Sequence, residues 1–168
     1  ESGLLDECSE FIVGCNGGRE SEEVARLVIP SKAKIKFHGL QSKAENLTII
    51  EIERWAPLHL DWNILYFHAK GCTHDAESHY GKNVSAPWRR TMMWDLVTNW
   101  RECVRDLDSG SDVACSHFMR GLADGSQNIA CGNFWWAKCS FLANLPSMWL
   151  RERIKTSGIS SAESRFEA

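Results

Sequence analysis

An imidazole and an ammonium group lie two residues apart in the stretch Tyr-Phe-His-Ala-Lys-Gly at residues 66–71. Residues two apart in a strand share a face, so we expect His68 and Lys70 to lie side by side at the end of a strand. A histidine can act as acid, base or hydrogen-bond donor, and a lysine can neutralise a phosphate as a point charge. Gly71 would let the backbone turn close to a ligand. The alternative is a surface lysine beside a histidine that bonds to a backbone carbonyl.

A second stretch reads Gly-Asn-Phe-Trp-Trp-Ala at residues 132–137. Adjacent side chains in a strand face opposite sides, so one of Trp135 and Trp136 would face the core and the other outward. An outward indole offers a flat apolar face and one N–H donor, which suit a sugar or a base ring. Gly132 would permit close approach, and Asn133 could bond to hydroxyl groups. The alternative is that both indoles pack between a sheet and a helix.

Two charged residues elsewhere could take part in the same chemistry. Arg89, at the start of a predicted helix, could bind phosphate, or it could pair with a nearby carboxylate. Glu163 could act as a base or bind a sugar hydroxyl, whereas taken alone it is typical of a solvated tail.

The region 68–79 also contains several side chains that bind zinc well. Their spacing matches no familiar zinc finger, so the spacing favours a polar loop, with a zinc site as the alternative. The side chains concerned are His68, Cys72, His74 and His79, with Asp75 and Glu77 between them.

Strands and helices alternate in the predicted order of elements. Short apolar or alternating runs predict strands, and amphipathic runs bounded by proline or glycine predict helices. The predicted strands cover 10–15, 32–37, 62–71 and 112–118, with a further strand-like segment at 128–138, and the predicted helices cover 21–28, 45–56, 87–107 and 140–144.

The longest predicted helix carries large apolar residues at every fourth position or close to it. Pro87 suits its first turn, and Asp-Ser-Gly at 108–110 ends it. This ladder is typical of a helix face that covers a sheet. Its members are Trp88, Met92, Leu96, Trp100, Val104 and Leu107.

The alternation predicts an α/β fold with a mainly parallel sheet flanked by helices. A chain of 168 residues suits a single domain, because about 100–200 residues per domain is usual. In open sheets of this kind the ligand crevice lies outside the carboxyl ends of the strands. We therefore expect His68, Lys70 and the tryptophan pair to face one shared hollow.

The composition is that of a folded domain and narrows the class of partner. Hydrophobic residues make up 43% and charged residues 24% of the chain, both near the globular average. A net charge of −3 argues against a broad grip on nucleic acid, and no apolar run is long enough to span a membrane. The sequence has no G-x-S-x-G, P-loop or G-x-G-x-x-G motif, so hydride and phosphoryl transfer are unsupported.

Seven cysteines are spread along the chain without a Cys-x-x-Cys pair, which indicates reduced, buried thiols rather than a disulfide framework. Glycosylation sequons begin at Asn46 and Asn83, so a cytoplasmic location and a secretory-pathway lumen both stay open. The first residue is Glu1 and not Met, which indicates a fragment or a processed chain. Residues 154–168 form a polar tail in this interpretation.

Three short blocks, in order, give the chain a family resemblance. They are Tyr-Phe-His-Ala-Lys-Gly at 66–71, Trp-Arg-Arg-Thr-Met at 88–92 and Gly-Asn-Phe-Trp-Trp-Ala-Lys at 132–138. Together they resemble a glycosyltransferase-like family with the pattern Tyr-x-His-Thr-Lys-Gly, Trp-Arg, Gly-Asn-Phe-Trp-Trp-Ala, and they are more distantly similar to the rhamnan synthesis F family. Ala69 replaces the usual threonine, and the tail after Glu163 departs from the family's Trp-Ile pair.

The resemblance implies a GT-A-like, Rossmann-like domain over residues 1–168 that transfers a sugar from a nucleotide-sugar donor to a glycan or other acceptor. The site residues that it implies are His68 and Glu163 in catalysis, Lys70, Gly71 and Arg89 at the donor, and Gly132, Asn133, Trp135 and Trp136 around the sugar or acceptor.

Enzymes of the resembled kind commonly hold a divalent metal, manganese or magnesium, on an Asp-x-Asp motif. The nearest acidic cluster here, residues 106–108, ends the long helix and is wrongly placed for that task. Either cations such as Lys70 take over the role of the metal, or activity is lost. The competing functions are a non-catalytic carbohydrate- or nucleotide-binding module and a zinc-binding interaction domain.

Overall fold

The computed structural model of the chain describes residues 2–15, 19–37, 44–69, 81–119, 129–130 and 132–146. The helices within these ranges are α1 (Leu4–Glu7), α2 (Arg19–Val28), α3 (Ala44–Trp55), α4 (Ala86–Met93), α5 (Trp100–Asp108) and α6 (Cys139–Asn144), with a 3₁₀ turn at Ala56–Leu58 and π-helical segments at Gly81–Ser85 and Trp94–Thr98. The strands are β1 (Ile12–Cys15), β2 (Lys34–Phe37), β3 (Asn63–Tyr66), β4 (Val113–Cys115), β5 (Phe118–Met119), β6 (Ile129–Ala130) and β7 (Trp135–Lys138). None of the described helices is long and apolar enough to cross a membrane.

These elements form a mixed α/β fold with small sheets. β1 and β2 pair in parallel, and α2 connects them, so this part of the chain is a β–α–β unit. β3, β7 and β4 form a three-stranded antiparallel sheet in that order, and β5 pairs antiparallel with β6. The predicted α/β class is confirmed, and the predicted strand at 112–118 is divided between β4 and β5.

The prediction of a mainly parallel sheet is wrong for the described strands. Among their pairings only β1 with β2 is parallel, whereas the sheet that carries His68 and the tryptophan pair is antiparallel. Apolar runs such as those of β3 and β7 predict burial on both faces, and buried antiparallel strands share that property with parallel ones. The side-chain pattern therefore could not show whether the neighbouring strands run parallel or antiparallel.

The lysines of the alternating run at 32–37 are matched by acceptors. Lys34 Nζ lies 2.7 Å from Glu10 Oε1, and Lys36 forms an ion pair with Glu51. Lys32 Nζ donates to a carbonyl oxygen of α1 at 2.6 Å. The three lysines therefore form local ion pairs and hydrogen bonds at the surface. Each of these contributes at most about 1 kcal/mol to stability.

The central strand β7 separates two hydrophobic clusters. Trp135 and Ala137 face the cluster formed with α3 and α6, and Trp136 faces the cluster formed with α4, the segment Trp94–Thr98 and α5. Because both faces of β7 are covered, its side chains are almost all buried. This strand positions the candidate site that precedes it.

The long helix predicted over 87–107 is present, with one irregularity. Residues 86–108 run as α4, the π-helical segment Trp94–Thr98 and α5, and Pro87 lies in the first turn as predicted. An i, i+4 ladder drifts by about 40° per step around a regular α-helix, and a wider π turn reduces that drift. The ladder lies in one cluster, with Met92, Leu96 and Leu107 fully buried and Trp88, Trp100 and Val104 packed against them.

Candidate functional site

His68 lies against the turn that precedes β7. Tyr66, the last residue of β3, is the register partner of Trp135, the first residue of β7. Two residues beyond the end of β3, His68 Nε2 lies 3.1 Å from the carbonyl oxygen of Gly132. A carbonyl oxygen only accepts, so Nε2 carries the proton and donates it in this bond. The structure thus brings together two residues that are remote in sequence and that both belong to the motif blocks.

Two aromatic rings fix the orientation of the His68 imidazole. The ring is stacked on Tyr66 with centroids 6.1 Å apart, and it meets the edge of Phe134 at 5.2 Å. The bond to Gly132 O is the arrangement that the sequence analysis gave as the alternative for His68. One ring nitrogen therefore has a structural role, and the role of His68 in catalysis stays a prediction.

The turn formed by Gly132 and Asn133 uses left-handed backbone conformations. Gly132 has φ of 86° and Asn133 has φ of 54°, and the Asn133 N–H donates to Ala130 O at 3.1 Å. A β-carbon on Gly132 would lie 2.5 Å from Met92 Sδ and 3.3 Å from the ring of Trp88. This glycine therefore permits the close approach of α4, and the predicted close approach of a ligand stays a prediction.

Both tryptophans of the pair are buried, Trp135 with 1% and Trp136 with 6% of its surface exposed. Trp135 Nε1 donates to Asn133 Oδ1 at 3.0 Å, and Trp136 Nε1 donates to Leu96 O at 2.8 Å. The two indoles face opposite sides of β7, as predicted, and both are buried, which is the alternative of packing between the sheet and its helices. A role of either indole around a sugar or acceptor stays a prediction. α4, α5 and the segment between them cover the face that the prediction left open to solvent.

Asn133 is buried as well, and its side-chain oxygen accepts from Trp135. The bond holds the turn onto the first residue of β7, so this asparagine shapes the backbone beside His68. The ring of Tyr66 contacts both the His68 ring, with centroids 6.1 Å apart, and the Trp135 ring, with centroids 5.2 Å apart. A hollow shared by His68 and the tryptophan pair stays a prediction.

Arg89 lies in α4, directly after Trp88, and its side chain is half-buried. Since Trp88 is one of the neighbours of Gly132, the Trp-Arg block belongs to the same region as the other two blocks. Lys70, Gly71 and Glu163 lie outside the described residues, as do Cys72, His74, Asp75, Glu77 and His79 of the zinc alternative. Within the described ranges, no group of three or more histidine, cysteine or acidic side chains could hold a metal ion.

A second polar cluster lies at the same edge of the sheet and was not found from the sequence. Ser116 follows β4, and its Oγ donates to Asp95 Oδ2 and lies 2.8 Å from His117 Nδ1. We call Asp95, Ser116 and His117 the Asp95 relay. The signal in the sequence was a Ser-His pair near the end of the predicted strand at 112–118, but its partner Asp95 lies within the apolar ladder of the long helix.

The described cysteines Cys8, Cys15, Cys103, Cys115 and Cys139 are all free thiols. Burial raises the pKa of the thiols at Cys15, Cys103 and Cys139, and for Cys139 burial and the nearby Asp61 carboxylate raise it to about 11. Thiolates are the reactive form, so a fully buried thiol with a raised pKa is inert. Cys139 is therefore part of the core rather than a nucleophile.

This pKa shift predicts a loss of stability in alkaline solution. The folded state holds Cys139 as a neutral thiol, so its contribution is fully present below the unfolded pKa of about 8.5 and is lost as pH rises towards 11. We expect Cys139 to lower the free energy of unfolding by about 2–3 kcal/mol over that interval. Urea unfolding under reducing conditions at pH 8 and pH 11 measures the change. In Cys139→Ala the drop between the two pH values should be smaller by this amount, and an equal drop in both proteins would contradict the assignment.

The comparisons with known proteins place the chain in a family. No curated protein and no solved structure matches it. Residues 12–163 match the model of the family described as Domain of unknown function (DUF8361), a range that includes β1 to β7 and all three motif blocks. The match covers far more than half of the chain, and the protein is therefore a member of the DUF8361 family.

Proposed function

We propose that this domain is a glycosyltransferase-like domain that transfers a sugar from a nucleotide-sugar donor to a glycan or other acceptor. The observation that carries the proposal is the bond between His68 and Gly132 O. It joins the middle of one motif block to the first residue of another at a single sheet edge, and the remaining block packs against the same turn through Trp88. A set of blocks that converges in space is more consistent with one ligand site than with separate structural roles.

A GT-A-like, Rossmann-like architecture is the finer proposal for the fold. Its support is the β–α–β unit of β1, α2 and β2, because parallel strands joined by a helix are the building block of such folds. The antiparallel sheet of β3, β7 and β4 would then be the part that holds the acceptor side of the site.

In this proposal positive charge stabilises the leaving diphosphate. Lys70, Arg89 and His68 supply it from the first two motif blocks, and Gly71 lets the backbone approach the donor. Glu163 remains the proposed carboxylate of the site. Asp106 and Asp108, the nearest acidic pair in the sequence, are exposed in the last turn of α5, so the described residues do not fit a donor-bound metal and no step is assigned to one.

A thermal-shift screen against nucleotide sugars tests the proposal directly. A ligand that binds the folded state raises the melting temperature by mass action, with about 2.7 kcal/mol of stabilisation at one hundred times Kd. We expect at least one uridine, guanosine, cytidine or thymidine diphosphate sugar to raise the melting temperature, and the matching free sugar to do so less. A screen in which no nucleotide or nucleotide sugar shifts the melting temperature would refute the proposal.

Lys70→Ala should weaken binding of the active nucleotide sugar by about 10- to 100-fold, because a charge-assisted hydrogen bond to phosphate is lost. Isothermal titration calorimetry measures the change in Kd. Lys34→Ala is the matched control, because Lys34 lies on β2 and pairs with Glu10. This substitution should leave the affinity unchanged. Equal affinity in the wild type and in Lys70→Ala would remove Lys70 from the donor site.

A non-catalytic carbohydrate- or nucleotide-binding module is the second candidate. It is favoured by the structural roles of the third block, in which both indoles and Asn133 are buried and bonded to one another or to Leu96. Release of free nucleotide from a bound donor, measured with and without manganese, separates the two candidates. A transferase releases nucleotide when acceptor is added, and a binding module returns the donor intact.

A further inference from the structure

The Asp95 relay joins the π-helical segment Trp94–Thr98 to the end of β4. The Asp95 carboxylate accepts from Ser116 Oγ, and Ser116 Oγ is 2.8 Å from His117 Nδ1. Asp95 and Ser116 are half-buried, whereas His117 is exposed. The relay therefore ends in an exposed imidazole. π-helical turns within α-helices frequently occur at functional sites.

The hydrogen-bond partners determine where the protons lie. A carboxylate can only accept, so the single hydroxyl hydrogen of Ser116 is committed to Asp95. Ser116 Oγ is then an acceptor towards His117, and Nδ1 must carry the proton that it donates. Nε2 of His117 is left with a lone pair, which makes it the basic nitrogen of the ring. The relay thus selects the Nδ1–H tautomer of an exposed imidazole.

The register of the sheet places His117 at the same edge as His68. Tyr66, Trp135 and Cys115 are register partners across β3, β7 and β4. His68 follows the first of them by two residues and His117 follows the last by two residues. Since neighbouring strands are about 4.8 Å apart, the ends of β3 and β4 are separated by about 10 Å across β7.

Two exposed aromatic side chains are direct neighbours of the Asp95 relay in the sequence. Trp94, next to Asp95, has 60% of its surface exposed, and Phe118, next to His117, has 48%. The apolar face of a pyranose ring stacks on such side chains, and its hydroxyls bond to polar groups near them. These rings and the basic nitrogen of His117 favour a sugar as the ligand, because a sugar has both an apolar face and hydroxyl groups that can give a proton to a base.

We propose that His117 is the general base of the domain and takes the proton of an acceptor sugar hydroxyl, an inference that rests on the proposed transferase function. The acceptor O–H bond breaks and its proton goes to His117 Nε2, giving an imidazolium. The acceptor oxygen forms a bond to the anomeric carbon of the donor, and the bond from that carbon to the nucleoside diphosphate breaks, so the diphosphate leaves with the electron pair. Asp95 and Ser116 are positioning residues, because they act through His117.

The tautomer of His117 tests the relay without any donor or acceptor. Nitrogen-15 chemical shifts of the imidazole, recorded in the full chain at a pH where the ring is neutral, should show the proton on Nδ1 in the wild type. Ser116→Ala should move it largely to Nε2, and Ser116→Thr, which keeps the hydroxyl, should restore the wild-type pattern. A Nε2–H tautomer in the wild type, or an unchanged tautomer in Ser116→Ala, would overturn the inference. Melting temperatures of both variants identify a folding defect.

The transfer reaction tests the assignment of the base. With a donor found in the thermal-shift screen, His117→Gln should lower kcat by about 100-fold or more while the donor Kd stays within two-fold, because a general base contributes about 10²- to 10⁴-fold. Ser116→Ala should lower kcat by about 10-fold, and Ser116→Thr should recover most of it. Glu102→Gln, on the exposed face of α5, is the control with unchanged activity.

The outcomes separate the two proposals. Transfer that persists in His117→Gln overturns the inference and leaves the proposed function standing. Donor binding without transfer in the wild type supports the binding module and overturns both the transferase function and the role of His117. A loss of kcat in His117→Gln with the donor affinity retained supports both.

Discussion

Trp135→Ala should lower the free energy of unfolding by about 3–5 kcal/mol, the usual cost of truncating a buried aromatic side chain. The indole belongs to the first residue of the central strand β7, is 1% exposed and contacts the ring of Tyr66 at a centroid distance of 5.2 Å. Its removal leaves a cavity and also leaves Asn133 Oδ1 without the donor it has at 3.0 Å. Urea unfolding followed by circular dichroism measures the change.

Trp135→Phe divides this effect into its parts. Phenylalanine keeps an aromatic ring but lacks the N–H donor, so the expected cost of about 1–3 kcal/mol includes the lost hydrogen bond to Asn133 Oδ1. Trp94→Ala is the matched control, because Trp94 is largely exposed and its truncation should change stability by no more than about 0.5 kcal/mol. If Trp135→Ala cost as little as Trp94→Ala, Trp135 would be a surface group and the sugar-platform interpretation would return.

Gly132→Ala is the second substitution with a large expected effect, about 2–5 kcal/mol of lost stability. A residue with a β-carbon at φ of 86° is strained by about 1–2 kcal/mol. The added β-carbon would also lie 2.5 Å from Met92 Sδ, and Met92 is fully buried, so its side chain has little room to move. Overpacking of this kind lowers the free energy of unfolding by about 1–3 kcal/mol more.

Gly110→Ala is the control for the backbone contribution. Gly110 also has a positive φ, of 116°, but a β-carbon there would meet nothing within 4 Å. Chemical unfolding of the two variants should show a larger loss for Gly132→Ala than for Gly110→Ala. Equal losses would mean that the contact with Met92 and Trp88 does not constrain the turn.

The elements with strong periodicity could be predicted from the sequence. The alternating run of β2 and the apolar ladder from α4 to α5 could be recognised locally, because the period of the side chains and the terminating residues lie within each segment. The π-helical turn at Trp94–Thr98 could not be read in the same way, since it depends on how the ladder meets the sheet.

The candidate site was only partly predictable. The alternation rule correctly placed Trp135 and Trp136 on opposite faces of a strand. Whether the Trp136 face is exposed to solvent depends on where α4 and α5 pack. The bond between His68 and Gly132 joins residues 64 positions apart. Only the order of the motif blocks in the sequence indicated that these two residues belong together. The Asp95 relay had no such basis, because a carboxylate in a helix meets a strand end through tertiary packing alone.

The antiparallel sheet has a consequence for how the protein is made. β3 and β4 each use β7 as their hydrogen-bonding neighbour, and β7 is synthesised after both of them. While the chain emerges from the ribosome, these two strands expose unpaired backbone groups that could pair with other chains. The three-stranded sheet therefore forms only after β7, with the tryptophan pair, has been translated. A nascent chain that pauses before that point is the form most in need of a chaperone.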